Sequence, residues 1–147
     1  MARLLLAAVL AARADAVTIA CAGDSVTYGM HGQDKNNLPT TGGSWPAWLE
    51  HHLEATQEYA PDHFTVLNLG RSGATAQRQT DRPYRGEPEY QQLLNSNFDL
   101  AIITLGTNDA KRAFWDEARY AAEYVALIDE VRRANPDGEI ALGNAFG

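Results

Sequence analysis

The chain is poor in most of the features that mark specialised protein classes. A single cysteine, Cys21, excludes an intramolecular disulfide and a cysteine-rich metal site. It lies in an apolar run and reads as a buried, inert thiol. Basic residues are outnumbered, 12 against 19 acidic ones, giving a formal net charge of −7. No basic cluster offsets this, and Arg132 and Arg133 read as the cationic last turn of a helix. That balance argues against nucleic acid or an anionic membrane surface as partner, because phosphate binding needs a clustered basic face. No apolar run reaches the roughly 20 residues that span a bilayer, so stable membrane insertion is not expected. Histidine is scarce as well: there are four, and none follows His63. The adjacent His51 and His52 point in different directions on a helix, which does not suit a metal pair.

What remains is the composition of an ordinary globular domain, 45% apolar and 21% charged over 147 residues, with no repeat or low-complexity tract. At the N-terminus, Arg3 precedes an apolar run over 4–12, and Ala14-Asp15-Ala16 offers small residues where a signal peptidase reads. That order predicts an export signal over 1–16, a secreted product and one domain over 17–147.

Short β-branched and apolar runs at 17–22, 64–69, 100–105 and 139–142 predict four strands. Ser44 is placed to cap a helix with Pro46 in its first turn and Trp45, Trp48, Leu49 and Leu53 on one face. A short helix is expected over 89–95. A longer one over 116–135 carries Tyr120, Tyr124, Leu127, Ile128 and Val131 at helical spacing and is stopped by Pro136. The segments 30–43 and 70–88 read as loops, the second with one helical turn. Alternation of strand and helix predicts an α/β fold with a parallel sheet.

Three polar clusters follow the first three strands: Gly23-Asp24-Ser25, the stretch 70–75 with Gly73, and Gly106-Thr107-Asn108-Asp109. In an open parallel sheet the carboxyl ends of the strands share one edge, and ligands bind outside it. The spacing therefore brings a hydroxyl, a glycine backbone and a side-chain amide into one crevice, as a nucleophile and the donors of an oxyanion hole would be. Each cluster also has a plainer explanation. Ser25 can bond backbone in a turn, Gly73 can serve a positive φ, and Asn108 with Asp109 can cap a helix. Those explanations leave the shared edge unaccounted for. Asp24 and Asp109 read as loop braces, with Gly106 in a supporting role, and Ser72 is a competing nucleophile one residue deeper in its loop.

GDSVTYG at 23–29, NLGRSGAT at 68–75 and LGTNDAK at 105–111, in that order, resemble the first three motifs of the SGNH (GDSL-like) hydrolases. Pro83-Tyr84, Lys111 and Trp115 add a resemblance to the carbohydrate and sialate O-acetylesterase members. The resemblance runs from about 17 to 142. It implies a flavodoxin-like three-layer α/β/α sandwich and a serine esterase acting on acetyl or short acyl esters of an alcohol or sugar, with no cofactor or metal. Ser25 would be the nucleophile. Its own N–H, the Gly73 N–H and the Asn108 amide would form the oxyanion hole. The family's Asp-x-x-His pair, after a fifth strand, has no counterpart here, which makes the chain read as a fragment, inactive alone. His31 is the one histidine in a loop on the correct edge, and a solvated loop histidine is its plainer reading. A glycan- or acyl-binding module on the same fold is the alternative from another class, and lipid or thioester hydrolysis a third.

Overall fold

The computed structural model describes residues 16–29, 43–55 and 63–143. Residues 1–15 of the expected export signal, His31 and all but the last residue of the 30–43 loop lie outside them.

Four strands, β1 (Val17–Gly23), β2 (Phe64–Gly70), β3 (Leu100–Thr104) and β4 (Glu139–Leu142), form one parallel sheet in the order β2-β1-β3-β4. The connections carry α1 (Ser25–Tyr28) and α2 (Trp45–Glu54) between β1 and β2, a 3-10 turn (Tyr84–Gly86) and α3 (Pro88–Asn95) between β2 and β3, and α4 (Glu117–Ala134) before β4. The expected α/β architecture is the one observed.

The period of two along each strand divides the core into two layers. Ala20 and Ala22 of β1, Leu67 and Leu69 of β2, and Ala101 and Ile103 of β3 face α3 and α4, meeting Tyr90, Leu93, Leu127 and Val131. Val17, Ile19 and Cys21, with Phe64, Val66, Leu100 and Ile102, face the other way, toward Trp45, Leu49 and Leu53 of α2. Both faces are thus covered, which is why β1 and β3 are apolar on successive residues. Burial pushes the Cys21 thiol up to about 12, with Glu50 adding to the effect, so it is inert at neutral pH. The outer edge of β2 is blunted at one point, where the Val66 N–H donates to Glu50 Oε1 at 3.1 Å.

Helix ends follow the expected chemistry. Ser44 accepts from the Ala47 N–H at the start of α2, and Asp116 accepts from the Arg119 N–H at the start of α4. One side chain departs from expectation. Trp48 is 41% exposed and stacks on His52 at 5.5 Å, while Trp45, Leu49 and Leu53 face the core. At about 100° per residue Trp48 lies on the flank of that stripe, not within it.

The 71–83 loop has its own fastenings. Tyr84, fully buried, donates its hydroxyl to the Leu69 carbonyl at 2.7 Å, returning to the strand the loop left. Arg85 donates to Glu130 Oε2 (2.8 Å), to the Ala76 carbonyl (2.9 Å) and to the Glu123 carbonyl (2.8 Å), tying the loop to α4. Tyr90 donates to the same Glu130 oxygen. Burial pushes the Glu130 carboxyl upward, but the bonds from Tyr90 and Arg85 and the charges of Arg85 and Arg78 outweigh it and leave the group below its ordinary value.

Candidate active site

The sheet register sets the level of the site. Gly23 pairs with Gly70 on one side and with Thr104 on the other, so β1, β2 and β3 end together. Ser25, Gly73 and Asn108 each follow within a few residues.

Ser25 is the first residue of α1 and is partly buried. Asp24, fully buried, caps this turn by accepting from the Val26 N–H at 2.9 Å. Burial raises the Asp24 carboxyl, opposed by the Val26 N–H and the Thr107 hydroxyl and reinforced by the negative charge of Asp109. The turn lies directly on the strand ends. A Cβ on Gly70 would come within 2.2 Å of the Tyr28 backbone nitrogen, so only glycine admits this approach. Asn68 holds the junction, its Nδ2 donating to the Tyr28 carbonyl (3.4 Å) and its Oδ1 accepting from the Gly70 N–H (3.0 Å). Thr27 and Thr104 join α1 to β3 through their hydroxyls, 2.7 Å apart, and Trp45 donates to Thr27 at 3.2 Å.

Gly73 lies in a tight turn closed by the Ala74 N–H donating to the Arg71 carbonyl at 3.0 Å. Its φ of +82° is what a type II turn requires at its third residue. A Cβ there would meet nothing nearer than Arg82 Cδ at 3.8 Å, so the backbone angle alone selects glycine. Ser72 shares the turn, its carbonyl accepting from Arg82.

Asn108 donates one amide N–H to the Ala74 carbonyl at 3.1 Å. An amide carries two such hydrogens, so the second stays available. Asp109, fully buried, accepts from the Ala76 N–H (3.0 Å) and the Gln77 N–H (2.8 Å). These two residues therefore join the loop after β3 to the loop after β2. Helix capping falls to Asp116 instead. Gly106 has φ +141°, and a Cβ on it would come within 2.8 Å of the Tyr120 hydroxyl. The clamps made by Thr104 and Arg85 are not signalled in the sequence, and Thr27 and Asn68 lie inside the first two motifs without their distant partners being readable from them.

Among the described residues, no histidine stands at this edge. His63 precedes β2 and its carbonyl accepts from the Val17 N–H, at the opposite end of the sheet. His51 and His52 are exposed on α2. No group of three or more His, Cys, Asp or Glu residues suited to a metal occurs among the described residues.

A parallel sheet with a serine turn, a glycine turn and an asparagine loop on one carboxyl edge defines the class: a doubly wound α/β domain with a serine at the carboxyl edge of its sheet. Within that class, residues 21–146 match the GDSL-like Lipase/Acylhydrolase family, and the chain belongs to it. It is 31% identical over 128 residues to an acetylxylan esterase of Xylanibacter ruminicola, covering 86% of this chain and 24% of that protein. It is 30% identical over 131 residues to the cellulase/esterase CelE of Acetivibrio thermocellus, covering 80% of this chain and 16% of that protein. The chain thus spans a quarter or less of these curated relatives. The fold matches an aryl esterase of M. smegmatis in its inhibitor-bound form, with TM-score 0.62 and 23% identity over 88% of this chain and 64% of that one. A family two carbohydrate esterase from Clostridium thermocellum, in complex with cellohexaose, matches with TM-score 0.59 and 24% identity over 87% and 42% of the two chains.

Proposed function

We propose that this chain forms the nucleophile-bearing part of a serine ester hydrolase that removes acetyl or short acyl groups from an alcohol, with carbohydrate esters as the substrate class. The observation that carries the reading is the common level of Gly23, Gly70 and Thr104, which sends Ser25, Gly73 and Asn108 to one edge. The Ser25 hydroxyl attacks the ester carbonyl, and the carbonyl oxygen gains negative charge as the tetrahedral intermediate forms. The N–H groups of Ser25 and Gly73 and the second Asn108 hydrogen are the donors for that oxygen. Collapse of the intermediate expels the alcohol and leaves an acyl-serine, which water then cleaves. Asp24, Gly106 and Asp109 support these groups without touching the reacting atoms. The mechanism needs no metal or organic cofactor. The relatives' names, an acetylxylan esterase and a cellulase/esterase, support a carbohydrate ester as substrate.

The proton taken from Ser25 goes to a histidine outside the described residues, which then returns it to the departing alcohol oxygen. We further propose that 17–147 is part of the esterase domain and 1–16 an export signal. N-terminal sequencing of the secreted product should then begin at Val17.

A glycan- or acyl-binding module is the second reading, favoured by the lack of a histidine on this edge among the described residues. Residues 17–147 and a version extended through a family-like fifth strand and Asp-x-x-His segment, each beside Ser25→Ala, separate the two on p-nitrophenyl acetate. The esterase reading expects Ser25-dependent turnover in the extended protein. In the short chain it expects only residual catalysis, roughly 10³–10⁴ over water. Extended protein without Ser25-dependent turnover would favour the binding module. Full activity in the short chain would move the base to His31.

A further inference from the structure

Trp115 leaves half of its surface in water, 49%, on the loop that follows β3. A single exposed apolar side chain is ordinary on a protein surface. What distinguishes this one is its mounting. The Lys111 N–H donates to the Asn108 carbonyl at 3.4 Å, and the Lys111 carbonyl accepts from Phe114 (2.8 Å) and Trp115 (3.0 Å). A run of hydrogen-bonded turns thus leads from Asn108 to Trp115, and Asp116 caps α4 immediately after it.

The ring has a contact of its own. The indole packs on Tyr120 with centroids 5.4 Å apart at 42°, and Tyr120 packs edge-on against Tyr124 at 5.5 Å. Both phenols are anchored at the end of β3, Tyr120 donating to the Leu105 carbonyl (3.2 Å) and Tyr124 to the Ile103 carbonyl (3.3 Å). Tyr120 also lies against Gly106, two residues before Asn108. The exposed indole is therefore fixed, through one ring and one run of turns, to the loop that carries Asn108.

We infer that Trp115 is a carbohydrate platform, its indole stacking on a pyranose ring of the alcohol part of the substrate while the ester sits at Ser25. A sugar ring has an apolar face of C–H groups and a polar rim of hydroxyls, and a flat aromatic surface meets the first while leaving the second hydrated. A ring already packed on one neighbour has less conformational freedom to lose when the sugar arrives. The inference rests on the carbohydrate-ester reading for its substrate class, yet it concerns binding alone.

The test is calorimetric titration of the 147-residue chain with xylohexaose and with cellohexaose, using wild type, Trp115→Ala, Trp115→Phe and Trp48→Ala. Circular dichroism of each variant checks the fold. Wild type should bind at least one oligosaccharide, Trp115→Ala should weaken it at least tenfold, and Trp115→Phe should recover part of the loss. Trp48→Ala, at a tryptophan of comparable exposure on α2, should bind like wild type. Absence of binding by wild type, or undiminished binding by Trp115→Ala, overturns the inference. A larger loss in Trp48→Ala than in Trp115→Ala overturns it too. Ester hydrolysis is read separately, through Ser25 dependence on p-nitrophenyl acetate in the extended protein. Trp115-dependent binding without that hydrolysis would leave the platform standing and the esterase reading refuted. Ser25-dependent hydrolysis without Trp115-dependent binding would do the reverse.

Discussion

Asn108 and Ala74 are joined across two loops by a 3.1 Å hydrogen bond from amide to carbonyl, which restrains the Asn108 side chain and leaves its other amide hydrogen to donate elsewhere. In an active extended form, Asn108→Ala should lower kcat by about 10²–10³, the usual effect of losing one oxyanion donor, and leave KM nearly unchanged. Steady-state kinetics on p-nitrophenyl acetate would show it. Unchanged kcat would remove Asn108 from the mechanism.

Asp109 accepts two backbone N–H groups in a fully buried setting. Asp109→Ala leaves both unpaired and should cost about 2–6 kcal/mol, from roughly 1–3 for each buried unsatisfied donor. Asp109→Asn keeps one acceptor and should cost less. Urea denaturation of the three proteins gives the ranking directly.

Gly73→Ala separates conformation from crowding. With φ at +82° and no atom nearer than 3.8 Å to the added methyl, its cost should be about 1–2 kcal/mol, the penalty of the left-handed region. A larger loss in denaturation would mean that the turn is crowded by residues outside those described.

Gln77 is fully buried, and neither its amide oxygen nor its amide nitrogen has a hydrogen-bond partner among the described residues. Replacing such a group by an apolar side chain of similar shape is near neutral or favourable. Gln77→Met should keep or raise stability, by up to about 1 kcal/mol. A clear fall in the urea midpoint would point to a partner outside the described residues.

Glu130 carries a pH dependence of definite sign. Its folded value is depressed, so the stability it contributes is present above the ordinary carboxylate range and is lost as pH falls through the folded value. Glu130→Gln should be less stable than wild type at pH 7, and the gap should close on acidification. Thermal melts from pH 7 to pH 3 would reveal it, and a gap that widened toward acid would contradict the assignment.

Much of this architecture was legible because strands and caps are local. All four strands lie within a residue of the apolar runs that announce them, and Ser44 caps the helix it precedes. The shared edge followed from the parallel topology and from counting residues past each strand. The α1 turn was not legible as a helix, since four residues hold no period to detect. Trp48 was expected in the core because apolar character does not distinguish the centre of a stripe from its flank. The Arg85 clamp joins residues 45 apart in sequence, and long-range pairing leaves no local trace.

The bond from Tyr84 to Leu69 makes the connection after β2 a self-closing cassette. Its two ends are stapled to the same strand terminus, while Arg78, Gln79, Asp81 and Arg82 form an exposed tip. Changing the size or charge of Gln79 and Asp81, while keeping Thr80 against Thr75 and Arg82 on the Ser72 carbonyl, should therefore leave the glycine turn undisturbed and offers a place to vary the surface beside it.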